Sequence, residues 1–193
     1  MIPNNKITSK YVDGEFIYEN SEEDLIDIQP GGLDIQNIDE SPTYQMWEMY
    51  YENNIIKLKS LTNNKIYNIR SIEKIEQLSF SFTLNMVLNY LYTKSDKTYL
   101  TYYDTLTQKT VEVVYENMGH PKLVYDDLRT TQSNSSDILL VYINNLTNKL
   151  CYRLLRDRYA KEYELYSVPK HTRLIRVGMA DNLRLKFKLQ AFN

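Results

Sequence analysis

The sequence predicts an all-β protein built from antiparallel meanders. Three observations carry that expectation. Short runs rich in Tyr, Ile, Leu and Val recur between clusters of Asn, Thr, Lys and Asp, roughly every ten residues. Within several runs apolar and polar residues alternate, the period of a strand with one covered face. Two blocks of about 45 residues follow the same order of strands and turns, which suggests a divergent repeat. Helix is expected to be nearly absent.

Residues 1–42 read as an extended acidic arm. Their apolar residues (Ile7, Tyr11, Phe16, Ile17, Leu25, Ile26, Ile28) are isolated, and Pro30-Gly31-Gly32 is a turn signal. Ser21-Glu22-Glu23-Asp24 resembles a helix start, but the pattern stops before Pro30, so one short helical turn is the most expected there. Such an arm buries too little to offset ordering costs of ~1–2 kcal/mol per residue. It must lie on something else.

The body is expected over residues 43–193. Residues 46–51 (MWEMYY), 55–61 and 66–69 are short strands, separated by Glu52-Asn53-Asn54 and Thr62-Asn63-Asn64-Lys65. The two repeat blocks span residues 75–115 and 120–165. In them, MVLNYLY (86–92) matches ILLVYI (138–143), TYLTYYD (98–104) matches 149–157, and 110–115 matches 161–165. ILLVYI is unbroken, as in a strand covered on both faces. After it comes the turn NNLTNK, then a strand with Leu150, Tyr152 and Leu154 on one face. Arg156-Asp157-Arg158 interrupts, and residues 159–165 resume as a third strand. Near the end, residues 173–177 form a strand. Residues 183–189 then alternate, with Leu183, Leu185, Phe187 and Leu189 facing one way and Arg184, Lys186 and Lys188 the other.

Four strands in about 45 residues is the size of a propeller blade, yet two blocks and a partial meander are too few for a closed ring of ~4–8 blades. The architecture is therefore a β-sandwich or distorted barrel, placed slightly ahead, or a set of partial propeller-like blades.

Composition narrows the function. With 193 residues, 42% of them hydrophobic, the chain can build one ordinary domain plus an arm. No stretch approaches the roughly 20 apolar residues of a membrane span, and the first sixteen residues lack the apolar core of a signal peptide. Cys151 is the only cysteine, and His120 and His171 are the only histidines, so neither an internal disulfide nor a zinc site is expected. Net charge is −2, but residues 1–50 carry −9 and the remainder +7.

No catalytic signature emerges. Asp126 and Asp127 are adjacent, so on a strand they face opposite ways and do not form an acid–base pair. Glu22, Glu23, Asp24 and Asp27 lack the spacing of a calcium loop and read as a solvated acidic face. Pro30-Gly31-Gly32 lacks the context of a phosphate loop. His120 and His171 read as surface or turn residues, and Cys151 as a small core hydrophobe. Arg153, Arg156, Asp157 and Arg158 form the densest polar cluster, either a phosphate or acidic-partner site or, the favoured reading, local ion pairs. The basic final strand does not outweigh the net charge, so specific nucleic-acid binding is not expected.

Four elements carry a resemblance: PGGLDIQ, LSFSFTLNMVLNYLY, DILLVYI with LCYRLLRDRYAKEYEL, and RLIRVGM with LRLKFKL. Together, over residues ~28–189, they resemble small β-rich tail-complex virion proteins of short-tailed bacteriophages, podovirus or crAss-like. The chain departs from that pattern at residues 82–86 (FTLNM) and 153–156 (RLLR), where more polar residues are expected. The resemblance implies a non-enzymatic structural protein of a hub, nozzle or fibre attachment, without cofactor or membrane contact. It would assemble in the host bacterial cytoplasm as a homo-oligomer in a symmetric ring with portal-proximal proteins.

The charge split places the expected interface. Ile26, Ile28 and Leu33 would anchor the arm on an adjacent subunit, with Glu22, Glu23 and Asp24 meeting Arg184, Lys186 and Lys188. The arm could equally fold back on its own body. A carbohydrate-binding module is the alternative function, since 18 tyrosines offer faces for sugar rings.

Overall fold

The computed structural model describes residues 8–12, 15–19, 26–33, 44–83, 87–126, 137–179 and 185–191. Among these residues the fold is all-β, and the only helical piece is a 3₁₀ turn at Leu155–Asp157. Strands β1 (Thr8–Val12) and β2 (Glu15–Glu19) form a hairpin. The first four-stranded sheet runs β3 (Ile26–Leu33), β4 (Tyr44–Glu52), β5 (Ile55–Ser60), β6 (Ile66–Ser71). The second runs β7 (Gln77–Phe82), β8 (Leu88–Lys94), β9 (Lys97–Asp104), β10 (Lys109–Glu116). The third runs β11 (Met118–Asp126), β12 (Asp137–Asn144), β13 (Lys149–Leu154), β14 (Tyr163–Ser167). A last hairpin joins β15 (Thr172–Met179) to β16 (Leu185–Ala191).

Local chemistry explains the turns. Asn53 and Asn54, between β4 and β5, have φ of 52° and 61°, and Ser95 and Asp96, between β8 and β9, have 51° and 61°. Two-residue hairpin loops of type I′ need positive φ at both central positions, and after glycine Asn and Asp tolerate it best. Inside the strands, alternation does the rest. On β5, Ile56, Leu58 and Ser60 are buried while Ile55, Lys57 and Lys59 are half-buried.

The sheets stack face to face in series. Trp47, Met49, Ile56 and Leu58 of the first sheet pack on Leu78, Phe80, Phe82, Tyr90 and Tyr92 of the second. The opposite face of the second sheet, with Leu91, Leu100 and Tyr102, packs on Leu123, Ile138, Leu140 and Tyr142 of the third. The third sheet's other face (Leu139, Val141, Ile143, Leu150, Leu154) takes Leu174, Val177, Phe187 and Leu189 of the last hairpin. Strand β12 is thus buried on both faces, which is why residues 138–143 are unbroken in their apolar character. Each contact is sandwich-like, and none of the described sheets closes into a barrel. The first strands β3, β7, β11 and β15 run beside one another, which gives the stack the order of partial blades.

Three local expectations change. Residues 26–33, expected in the arm, form β3 and pair with β4 from Ile26↔Tyr50 to Leu33↔Tyr44, so they belong to the first sheet. That pairing joins residues from 24 (Ile26 and Tyr50) to 11 (Leu33 and Tyr44) positions apart, which local periodicity does not reveal. Residues 159–162, expected as strand, are not. The chain turns through the 3₁₀ segment, and Arg158 and Tyr159 both take φ of 55°. Tyr159 is fully buried there, and the strand begins only at Tyr163. Pro30-Gly31-Gly32, expected as a turn, lies within β3, where the register shifts between Gly31 and Leu33.

Candidate functional site

The polar groups that the sequence scatters are drawn together where one sheet meets the next. Asp27 on β3 is half-buried rather than on a solvated acidic face. Its Oδ2 accepts from Ser79 Oγ (2.9 Å) and from the Phe80 backbone N–H (2.9 Å). Ser79 Oγ in turn accepts from the Leu123 backbone N–H at 3.0 Å. One carboxylate and one hydroxyl therefore tie β3, β7 and β11 in line. A charged acceptor strengthens such bonds, and the low-dielectric setting makes their loss costly.

A second relay runs parallel to it. His120 is half-buried in β11 with φ of 51°, beside the register shift between Gly119 and Lys122, not on the surface. Gln77 Nε2 lies 2.8 Å from its Nδ1, and Arg173 Nε on β15 donates to the same nitrogen at 3.3 Å. His120 thus bridges β7 and β15. His171 is exposed in the turn before β15, as its neighbours Pro169 and Lys170 suggest. The two histidines border an open cleft of about 650 Å³ with Gly119, Asn145, Leu146 and Lys170. No group of three His, Cys, Asp or Glu side chains comes together among the described residues.

The arginine cluster is the densest node. Arg153 donates from Nε to Tyr142 Oη (3.0 Å) and from Nη1 to the carbonyls of Tyr159 (3.0 Å) and Ala160 (2.8 Å). Its Nη2 meets Glu162 at 3.3 Å, and the guanidinium stacks 5.0 Å from the Tyr115 ring. Tyr142 also donates to Glu162. Burial, helped by that bond to Glu162, raises the Tyr142 phenol far above its ordinary value. Burial pushes Tyr115 up to about 12 although Arg153 pulls the other way. Arg158 pairs with Asp104 at 2.7 Å across the second and third sheets, and Asp157 accepts from Tyr163 Oη at 2.7 Å. The ion pairs thus reach across the fold as well as along the turn.

Asp104 supplies a pH signature. Burial opposes its charge, yet Thr107 Oγ, the Leu106 N–H and Arg158 outweigh it and hold the carboxyl below its ordinary value. A depressed pKa gives stability that is complete above the unfolded value, near ~3.9, and is lost as pH falls through the folded value. Asp104→Asn should therefore lower stability at neutral pH and flatten the acid limb below about pH 4. Urea midpoints across that range check it, and an acid limb as steep as that of the parent chain would count against this role for Asp104.

Cys151 is fully buried in β13, and burial pushes its thiol up to about 11, so it behaves as a core hydrophobe.

The expected interface residues are divided by the structure. Ile26, Ile28 and Leu33 lie on β3, paired to their own β4. Glu22, Glu23, Asp24 and Arg184 lie outside the described residues. Lys186 and Lys188 sit on β16 opposite Gly178 and Arg176, and Lys188 is exposed. On the face of β16 that carries Phe187, the third sheet presents an aromatic shelf. Tyr152 and Tyr163 stack at 5.0 Å, and Tyr166, 44% exposed, meets Phe187 at 5.8 Å. Sequence reasoning did not single out Ser79, and it read Asp27 as part of a solvated acidic face and His120 as a surface or turn residue. Only their position on adjacent first strands gives them partners, and no spacing signals that.

No family model matches the chain, and no curated protein or solved structure shows significant similarity to it.

Proposed function

We propose that this chain is a structural component of a short-tailed bacteriophage tail complex, acting through protein–protein assembly rather than catalysis. The observation that carries the reading is the use of its polar groups. Asp27, Ser79, His120, Arg153 and Asp104 each bond to a neighbouring sheet or strand, which suits a rigid spacer. The sequence resemblance to tail-complex proteins supplies the setting, a virion assembled in the host cytoplasm beside portal-proximal proteins. An all-β stack with free strand edges suits oligomers in a symmetric ring.

The experiment is co-purification. A tagged copy expressed in the infected host should enter particles together with portal and tail proteins at constant stoichiometry. Particles lacking the tagged chain would overturn the reading. The stacked pair Tyr152–Tyr163 and exposed Tyr166 support a second reading, stacking of sugar rings on the aromatic shelf. Against it, Tyr90, Tyr92, Tyr102, Tyr142 and Tyr159 are consumed by sheet packing. Specific signal on a glycan array from the isolated protein would favour the sugar reading.

A further inference from the structure

We infer that the cleft beside β11 binds a small anionic ligand, a phosphate or carboxylate group carried on a hydroxylated body such as a sugar. The inference goes beyond the assembly reading and does not depend on it. Three segments build the cleft: Gly119 and His120 on β11, the β12–β13 turn with Asn145 and Asn148, and the turn before β15 with Lys170 and His171. They are bonded to one another, so the space is formed before any ligand arrives. The Asn145 N–H donates to the Asn117 carbonyl at 2.9 Å, and the Val168 N–H to the Asn148 carbonyl at 2.8 Å. Thr172 Oγ1 donates to the Pro169 carbonyl at 2.7 Å and closes the last turn. His120, Asn148 and His171, one from each segment, hold φ of 51°, 51° and 59°. Non-glycine residues held in that region cluster at ligand sites. The volume of about 650 Å³ lies within the ~300–1,000 Å³ of small-molecule sites.

The side chains select the sign of the charge. Among the described residues, the lining carries one ammonium and two imidazoles and no carboxylate. Lys170 and His171 are adjacent and both exposed. His120 argues against a metal ion. Arg173 Nε can only donate, so His120 Nδ1 is the acceptor in their 3.3 Å contact and the ring proton sits on Nε2. Gln77 Nε2 donates to the same Nδ1 at 2.8 Å. A ring in that tautomer leaves no lone pair for a cation. The amides select the carrier. Asn145 and Asn148 each hold two donors and an acceptor, which match hydroxyl groups. Gly119 sets the position of one of them, because a Cβ there would stand 2.4 Å from Asn145 Oδ1.

Nuclear magnetic resonance titration of the isotope-labelled full chain tests this, with glucose phosphate, glucuronate and plain glucose as probes. The amide signals of Gly119, Asn145 and His171 should move with an anionic sugar, with a Kd of about a millimolar. Added salt should weaken the binding, and glucose should leave the signals in place. Binding of one anionic sugar and not the other identifies the group as phosphate or carboxylate and supports the inference in either case. K170Q with H171N should weaken binding roughly tenfold, the size expected of two exposed charge contacts. Asparagine at 171 tolerates the left-handed backbone there. G119A, which forces the Asn145 amide aside, should also weaken binding while circular dichroism retains the β signal. Anionic sugars that move nothing up to ~50 mM overturn the inference. So does glucose that binds as well as they do, or folded variants that bind as before. These measurements use the isolated chain and no phage particle, so ligand binding and membership of a tail complex fail independently.

Discussion

Replacing Tyr159 with Ala should lower the unfolding free energy by about 3–5 kcal/mol, the range for removing a large buried aromatic. Tyr159 is 0% exposed in the core between the second and third sheets, and its ring meets Tyr102 edge-on at 5.2 Å. The backbone there is equally committed. Its N–H donates to the Leu154 carbonyl at 2.9 Å. Its carbonyl accepts from Tyr115 Oη and Arg153 Nη1, both at 3.0 Å. Alanine would keep the unfavourable positive φ of 55° while losing the ring that holds the segment in it. The neighbouring strands cannot collapse into the void without breaking their ladders. Urea titration checks the value, with Leu106→Ala as control. Leu106 is 78% exposed in the β9–β10 turn and should change stability by no more than about 0.5 kcal/mol. Equal losses at both positions would mean that Tyr159 is not an anchor.

Arg153→Ala should cost roughly 2–4 kcal/mol, somewhat below the ~3–5 of breaking a fully buried pair because Arg153 and Glu162 keep 15% and 27% side-chain exposure. The loss has three parts. Glu162 keeps a half-buried charge without its guanidinium, the Tyr159 carbonyl loses one of two donors and the Ala160 carbonyl loses the Arg153 donor, and the Tyr115 ring loses its stacked cation. Arg153→Lys should recover only part, since an ammonium cannot reproduce a fork that reaches Tyr142, two carbonyls and a carboxylate at once. A double-mutant cycle with Glu162→Gln isolates the pair. A coupling energy near zero would show that Arg153 acts through its carbonyl bonds and stacking alone.

Both positions lie in the stretch from Leu150 to Tyr163, and its sequence shows only part of their role. The density of arginines is plain, but Asp157 suggests a local partner, whereas Arg153 reaches Tyr115 on β10 and Arg158 reaches Asp104 on β9. The residues around Tyr159 look like a continuing strand because aromatic residues favour strands. The turn wins because the buried ring and three backbone bonds outweigh a local preference of about 1 kcal/mol.

The sequence by itself determined the class of the protein and its local units. Alternation at residues 55–60 and 185–189, turn chemistry at Asn53-Asn54, and the doubly apolar run at 138–143 are read within ten residues. Each depends on the period of a strand or on the φ a residue tolerates. Tertiary structure decided what no short window contains. It took residues 26–33 out of the arm and placed them beside β4, because a strand's partner is set by the buried face available to it and not by its own composition. It turned Asp27 from an acidic residue among others into the acceptor that joins β3 to β7, and His120 from a turn residue into a bridge to β15. It also set the four-stranded sheets in series. Strand order within a sheet rests on main-chain hydrogen bonds, which carry no sequence signature.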